Sequence, residues 1–183
     1  MRREVEMSEF RFNVAQLLQE PTGATRHYDL DDDHLDLGDG LEVRPVKGHV
    51  RLTRTQNGVL ADVDAHGQVW LQCGRCLEDM QQALDFRFSE EYYQTVAVNT
   101  GAALPKPEDP EAFLIDETHK LDLADAMREY ALLEVPMLPL CRPDCKGLCP
   151  ECGTNLNDET CDCQPDQADE RLAVLKQLLD QSE

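Results

Sequence analysis

An alternation of apolar and polar residues between positions 50 and 73 is the strongest secondary-structure signal in the chain. Asn57-Gly58 interrupts it with a dipeptide that is typical of two-residue β-hairpin turns. A turn at these two residues places apolar residues opposite one another on one face, and an arginine opposite an aspartate on the other. The predicted cross-strand pairs are Leu52–Val63, Val50–Ala65, Thr53–Asp62 and Arg51–Asp64.

The second strand of this hairpin keeps its alternation as far as Cys73. A turn at Cys73-Gly74-Arg75-Cys76 follows, and Leu84, Phe86 and Phe88 then alternate on a returning strand. Two hairpins that share a central strand predict an antiparallel β-meander, or a partial barrel, with one buried face.

Three segments have the periodicity of helices. Residues 10–19 predict a short strand that runs into a short helix, with Asn13 as its N-cap. A helix is predicted over residues 122–134, where Asp122 is the expected cap. A second main helix is predicted over residues 166–180, because leucines recur there on one side.

These elements predict an α+β fold with an antiparallel sheet of about five strands over roughly residues 40–92. The acidic segment 29–36 and the segment 93–114 are predicted to be loops. We expect residues 1–140 to form an α+β body. Residues 141–183 are expected to form a cysteine-rich zinc-knuckle segment and a C-terminal helix that pack on this body.

The chain is strongly acidic. Its 183 residues include 17 Lys and Arg against 37 Asp and Glu, which gives a formal net charge of −20. This charge opposes a broad phosphate-binding surface, which needs clustered cations, and favours basic protein partners. The sequence shows neither an apolar signal segment at its start nor a run long enough to span a membrane, so the expected location is the cytoplasm.

Eight cysteines lie close together in pairs, at positions 73, 76, 141, 145, 149, 152, 161 and 163. In a reducing compartment this spacing favours metal binding over disulfides, and four thiolates complete a tetrahedral zinc site. Eight thiolates therefore suffice for two zinc ions per chain, and a single complete set of four would bind one ion. In Cys149-Pro150-Glu151-Cys152-Gly153, the glycine allows backbone N–H groups to point at the sulfurs.

Loop length favours one grouping of these cysteines, because the last four close the smaller loop. Site 1 is then Cys73, Cys76, Cys141 and Cys145, and site 2 is Cys149, Cys152, Cys161 and Cys163. An alternative grouping joins the first CxxC pair to Cys149 and Cys152, and leaves the other four cysteines together. In a third arrangement the six distal cysteines share a two-metal cluster, and the first pair has no role.

No catalytic motif accompanies the cysteines, so we expect neither an enzyme nor a small-molecule substrate. Closed sites made of four cysteines are structural by default, and the five histidines are scattered. The enzymatic alternative is thiol–disulfide chemistry at Cys73 and Cys76. A thioredoxin-type pair needs its first cysteine at a helix N-terminus, whereas this pair follows a predicted strand.

One basic patch is a candidate for direct RNA contact. Five basic residues fall within eleven positions that contain no acid, namely Arg44, Lys47, His49, Arg51 and Arg54. The alternative interpretation is pairing with the aspartates of the neighbouring strand. The sequence therefore leaves both interpretations of the patch, RNA contact and cross-strand pairing, open.

Three segments together resemble a known family. They are CGRCLE at 73–78, EVPMLPLC at 134–141 and CRPDCKGLCPECGTNLNDETCDC at 141–163. The string KGLCPxCGxNLN is specific, and on these motifs the chain resembles the YceD-type family of large ribosomal RNA subunit accumulation proteins. The resemblance implies a bacterial cytoplasmic protein, or an organellar relative, that acts in the synthesis, processing or stability of large-subunit ribosomal RNA. It also implies metal binding by all eight cysteines.

Together these observations predict a non-catalytic factor in ribosome biogenesis, in which a zinc-held scaffold binds an assembly component. The acidic surface predicts a basic ribosomal protein, or a large-subunit assembly intermediate, as the partner. A zinc-ribbon adapter of transcription is the remaining alternative, and its partner would be a polymerase.

Overall fold

The structure of the protein, a computed structural model, describes residues 10–163. Within this range the chain divides into two compact units. Unit 1 comprises residues 10–71 and 80–137, and unit 2 comprises residues 72–79 and 138–163. The predicted helix over residues 166–180 lies outside the described residues, and its packing on the body stays a prediction.

Unit 1 is built from β-strands with two helices. The strands are β1 (Arg11–Asn13), β2 (Thr25–Asp32), β3 (Leu35–Gly38), β4 (Leu41–Val43), β5 (Val46–Arg54), β6 (Gly58–Gln72), β7 (Asp79–Gln94), β8 (Leu114–Ile115) and β9 (Lys120–Asp122). The helices are α1 (Ala15–Gln19) and α2 (Ala124–Glu134). The last residue of β6, Gln72, and the first residue of β7, Asp79, belong to unit 2.

Seven of these strands form one sheet around β6. The β5 strand pairs antiparallel with β6, and β2 lies at the edge beside β5. The β4 strand also pairs with β6 and carries β3 at the other edge, while β7 pairs with β6 and runs parallel to β8. The predicted antiparallel sheet is thus present, but it has more strands than predicted and does not close into a barrel. The β1 and β9 strands form a separate pair.

The β5–β6 hairpin is confirmed, but its predicted register is wrong by two residues. The structure pairs Leu52 with Ala61, and Arg51 with Asp62. The turn is centred on Gln56 and Asn57, one residue earlier than predicted, because Thr55 lies opposite Gly58. The Thr55 backbone N–H donates to the Gly58 carbonyl at 3.1 Å, and the Thr55 hydroxyl accepts a hydrogen bond from the Gly58 N–H at 3.0 Å. A slip of two residues keeps every side chain on its predicted face, so the buried face is unchanged.

The acidic segment 29–36 is not a loop. It lies in β2 and β3, where Leu30 and Leu35 are buried while the intervening acidic side chains face outward. Both strands are at edges of the sheet, where outward charges discourage pairing with another chain.

The two helices of unit 1 lie close to their predicted positions. The N-cap of each helix lies one residue after the predicted cap, at Val14 for α1 and at Leu123 for α2. The Asn13 side chain still accepts a hydrogen bond from the Ala15 N–H at 3.0 Å. Asp122 similarly accepts from the Ala124 N–H at the start of α2. Ala126 and Met127 are fully buried, so α2 covers part of the apolar core.

The core of unit 1 is a continuous apolar cluster. It includes Val50, Leu52, Val59, Val63, Leu84, Phe86, Ile115, Leu121 and Met127. No helix within residues 10–163 is long and apolar enough to cross a membrane.

Candidate metal centres

A tight turn in unit 2 presents the first two cysteines. The Cys73 N–H donates to the Glu78 carbonyl at 2.9 Å, and the Leu77 N–H donates to the Cys73 carbonyl at 3.0 Å. Leu77 has a positive φ of 60°, which bends the backbone directly after Cys76. The turn thereby directs both sulfurs inward, and both cysteines are buried.

The second pair of site 1 comes from a segment that crosses this turn. The Gly74 N–H donates to the Pro139 carbonyl at 2.8 Å. A Cβ on Gly74 would lie 2.7 Å from a methyl carbon of Leu138, so only glycine permits this crossing without a shift. The chain then reaches Cys141 and Cys145 beside the first pair.

The four sulfurs of site 1 have the spacing of a tetrahedral thiolate site. The Sγ atoms of Cys73 and Cys145 are 3.8 Å apart, and those of Cys76 and Cys141 are 3.7 Å apart. Bonds of about 2.3 Å to a central zinc ion require tetrahedral sulfurs about 3.8 Å from each other. All four Sγ atoms lie within 4.8 Å of one another, so the donor set fits zinc in both chemistry and spacing.

Hydrogen bonds favour the thiolate at two of the four cysteines of site 1, Cys73 and Cys145, whereas desolvation and the neighbouring cysteines raise the pKa of Cys141 to about 12. The Cys141 N–H donates to the Cys73 sulfur, and an Asn157 side-chain N–H donates to the Cys145 sulfur, each at 3.4 Å. Backbone hydrogen bonds from Cys76, Cys141 and Arg75 lower the pKa of Cys73 to about 6. The hydrogen bond from Asn157 likewise lowers the pKa of Cys145.

Site 2 is a smaller and more exposed loop in the same unit. The Cys149 N–H donates to the Thr154 carbonyl at 2.8 Å, and the Gly153 N–H donates to the Cys149 carbonyl at 2.9 Å. Gly153 has a φ of +73°, which gives the expected tight turn after Cys152, but the backbone N–H groups of Cys149 and Gly153 meet carbonyl oxygens and not sulfurs. The Thr154 hydroxyl lies 3.1 Å from the Cys152 sulfur, and this contact is the main cause that lowers the pKa of Cys152 to about 6.

The structure brings the eight cysteines together in two quartets with the same membership as sites 1 and 2. Neither the alternative grouping nor a shared six-cysteine cluster is seen among the described residues. Thr154 and Asn157 contact the sulfurs as well, and neither was singled out for this role from the sequence. The sequence shows only that a short polar segment separates Cys152 from Cys161, and not which side chains turn inward.

Unit 2 contains little apolar material to hold it together. Among residues 72–79 and 138–163, the buried apolar side chains are all cysteines, namely Cys73, Cys76, Cys145 and Cys149. Leu77 and Leu138 are exposed. Burial of leucine and valine side chains therefore cannot hold this unit, whereas a metal ion bound by four thiolates can.

The basic patch of unit 1 is paired with acids. Its cross-strand and neighbouring partners are Arg44–Glu42, Lys47–Asp31, His49–Asp29 and Arg51–Asp62. The Arg54 guanidinium instead donates to backbone carbonyls, including that of Leu18 at 3.2 Å. Because these groups already have partners, the patch offers little free positive charge for RNA phosphates.

Most of the chain is similar in sequence to a known protein family. Residues 61–179 match the family model described as large ribosomal RNA subunit accumulation protein YceD. The chain belongs to the YceD family. The matched range includes all eight cysteines of sites 1 and 2.

Several curated proteins are similar to this YceD-family chain. An uncharacterised protein of Mycobacterium tuberculosis is 31% identical over 131 residues, which are 71% of this chain and 60% of that protein. A chloroplastic YCED homologue of Zea mays, named for large ribosomal RNA subunit accumulation, is 29% identical over 144 residues, covering 66% of this chain and 49% of that protein. The corresponding homologue of Arabidopsis thaliana is 34% identical over 65 residues, or 36% of this chain and 20% of that protein.

The chain spans about 60% of the length of the first of these relatives. No solved structure matches the chain. The family is therefore established by sequence, whereas the two sulfur quartets are described from this structure alone.

Proposed function

We propose that this protein supports the accumulation of large-subunit ribosomal RNA by binding, without catalysis, a component of the assembling large subunit. The observation that carries the proposal is the YceD family match over residues 61–179. The relatives named for this role are chloroplast proteins of Arabidopsis thaliana and Zea mays. The bound component is a basic ribosomal protein or an assembly intermediate that exposes one.

The charge of the protein supports a basic partner. The formal net charge is −20, and the cations of the 44–54 segment are engaged in ion pairs or backbone hydrogen bonds. A strongly negative surface attracts basic proteins and repels RNA backbone, so protein contact is favoured over direct RNA contact.

Two zinc ions are proposed as structural cofactors, bound by Cys73, Cys76, Cys141 and Cys145 at site 1 and by Cys149, Cys152, Cys161 and Cys163 at site 2. When bound, zinc supplies four strong bonds to thiolates at each site. Four protein ligands leave no open coordination position, which supports a structural role over a catalytic one. The chain's own contribution is to orient the thiolates with backbone and side-chain N–H groups.

The partner is tested by affinity capture of the tagged full chain from bacterial cells, followed by quantification of the recovered proteins. We expect large-subunit ribosomal proteins, and we expect recovery to fall as salt rises, because the attraction is electrostatic. Depletion of the protein should lower the level of large-subunit ribosomal RNA relative to small-subunit RNA. Recovery of no large-subunit component, together with an unchanged RNA ratio, would contradict the proposal.

The same experiments separate the two alternatives. A zinc-ribbon adapter of transcription would recover polymerase and not ribosomal proteins. A redox protein would bind no metal and would form a reversible disulfide between Cys73 and Cys76. Metal analysis with thiol titration should instead give about two zinc ions per chain.

A further inference from the structure

The loop of site 2 carries side chains that reach site 1. Asn157 lies between Cys152 and Cys161, the ligands that bracket this loop. One N–H of its side chain donates to the Cys145 sulfur of site 1 at 3.4 Å. The two quartets are therefore joined by a polar contact in addition to the backbone between Cys145 and Cys149.

Asn157 is held in this orientation by its neighbours. Its side-chain oxygen accepts a hydrogen bond from the Lys146 backbone N–H at 2.8 Å. The second N–H of its side chain donates to the Asn155 side-chain oxygen, with a nitrogen–oxygen distance of 2.8 Å. With both ends of the amide engaged, the N–H that meets the Cys145 sulfur has a fixed direction.

A second connection runs parallel to the first. The Asn155 side chain donates to the carboxylate of Glu78 at 2.9 Å, and Glu78 closes the turn that carries Cys73 and Cys76. The backbone adds a third contact, because the Leu148 N–H donates to the Arg75 carbonyl at 3.1 Å. The loop of site 2 thus touches both halves of site 1.

From these contacts we infer that the two metal sites bind cooperatively, and that Asn157 is the positioning residue that couples them. The inference rests on the proposed binding of two metal ions. Metal at site 2 orders the loop from Cys152 to Cys161 and so places the Asn157 N–H on the Cys145 thiolate. A hydrogen bond to a metal-bound thiolate stabilises it, so site 1 then binds its ion more tightly.

The test uses cadmium as the probe, because bound cadmium-113 gives a separate resonance for each site. The affinity of site 1 is measured by chelator competition in the full chain, in C152S/C163S, in N157D, and in the three changes combined. Aspartate at 157 still accepts from the Lys146 N–H but cannot donate to the sulfur, and since it also adds a negative charge beside the thiolate, the combined variant decides the coupling. We expect site 1 to lose about 10- to 100-fold in affinity when site 2 is disabled, and a similar factor in N157D.

The combined variant decides whether Asn157 carries the coupling. If it does, disabling site 2 has little further effect in the N157D background, since the contact is already lost. N157D should also move the cadmium-113 shift of site 1, which a loss of stability alone would not do. Linkage requires the reciprocal effect, so C76S/C141S, which removes two ligands of site 1 as C152S/C163S does at site 2, should weaken site 2 by a similar factor.

Two control variants bracket the result. T154V removes the hydroxyl that contacts Cys152 but has no contact with site 1, so with site 2 saturated the affinity of site 1 should be unchanged. N57D makes the same chemical change as N157D in the β5–β6 turn of unit 1 and should affect neither site. If the full chain binds two ions but its site 1 affinity equals that of C152S/C163S, the coupling is overturned while the metal sites stand. A chain that binds no metal would overturn the metal sites themselves.

Discussion

At the scale of single residues, Leu77 combines an exposed side chain with a backbone conformation that disfavours it. Its φ of 60° lies in the left-handed region, where a leucine costs about 1–2 kcal/mol relative to glycine. Its side chain is 54% exposed, so little burial compensates for this cost. The turn that presents Cys73 and Cys76 requires this conformation.

We therefore expect L77G to raise the free energy of unfolding of the metal-loaded protein by about 0.5–1 kcal/mol, since glycine adopts positive φ freely but gains entropy in the unfolded chain. Chemical denaturation measures the change. L77A is the matched control, because it shortens the side chain without relieving the backbone, and it should not stabilise the protein. An equal gain from L77A would contradict the explanation.

Asp116 is a second residue with a local structural role, in the turn between β8 and β9. Its carboxylate accepts hydrogen bonds from the Thr118 N–H at 2.8 Å, the Thr118 hydroxyl at 2.8 Å and the Lys120 N–H at 2.9 Å. Partial burial opposes ionisation, but the hydrogen bonds from Lys120 and Thr118 prevail and lower the pKa of Asp116 from 3.8.

We expect D116A to lower the free energy of unfolding of unit 1 by about 1 kcal/mol at neutral pH. Because the pKa of Asp116 is lower in the folded state, the ionised carboxylate stabilises the fold above its ordinary pKa. This contribution disappears as the pH falls through the lowered pKa. Denaturation across the acidic range measures it, with D116N as a control that keeps an acceptor without a charge. A D116A effect that is equally large in acid would contradict this assignment.

The residues of the metal centres were predictable to different degrees. The cysteines could be identified from the sequence because their chemistry depends on residue type and spacing, and the structure gathers them into the quartets that loop length favours. Asn157 and Thr154 could not be identified, because their role depends on where a side chain points once the loop has folded. A polar loop sequence alone does not contain that direction.

At the scale of elements, the β5–β6 hairpin shows that the face on which a side chain lies is easier to predict than the residue it pairs with across the strands. Alternation assigns each side chain to a face, and this assignment was right. The position of the turn also reflects contacts outside the hairpin, because Gly58 lies in β6 and a Cβ there would lie 1.8 Å from the Tyr92 carbonyl oxygen of β7. This glycine therefore serves a close strand approach, whereas the sequence suggested that it lies in the turn.

Metal removal should unfold unit 2 but not unit 1. We expect a zinc chelator to abolish hydrogen-exchange protection in residues 72–79 and 138–163 while β5 and most of β6 stay protected. The buried apolar side chains of unit 2 are cysteines, so the free energy of metal binding also stabilises the fold of this unit. Unit 1 has an apolar core and needs no metal. Mass spectrometry of proteolytic fragments measures the exchange.

Re-addition of zinc to the chelated protein should restore protection in both segments of unit 2. Unchanged exchange in unit 2 after complete metal removal would show that the metal does not hold this unit. Equal loss in β5 would show that the sheet depends on the metal as well.

At the scale of the whole molecule, the net charge of −20 places like charges close together. The observed ion pairs are mostly solvent-exposed, and exposed pairs contribute about 0–1 kcal/mol each. The repulsion among the remaining carboxylates is long-ranged at low salt, where screening is weak. Repulsion should therefore outweigh the exposed ion pairs.

Added salt screens this repulsion, so we expect the melting temperature of the metal-loaded protein to rise with salt concentration. The rise should be about 2–4 °C for each kcal/mol of repulsion that is removed. Calorimetry over a series of sodium chloride concentrations measures the shift, and a neutral osmolyte at matched water activity controls for effects on hydrophobic burial. A melting temperature that falls with salt would indicate that the ion pairs dominate.

Site 1 joins residues that are made at different times. Cys141 follows Cys76 by 65 positions. At about 5–20 residues per second, the ribosome needs about 3–13 seconds to cover that interval. Throughout this delay the nascent chain displays two bare thiols at the tip of its hairpin. Because unit 2 is proposed to fold on its metal ions, we expect zinc starvation or oxidation during this interval to leave chains with a folded unit 1 and an unfolded unit 2.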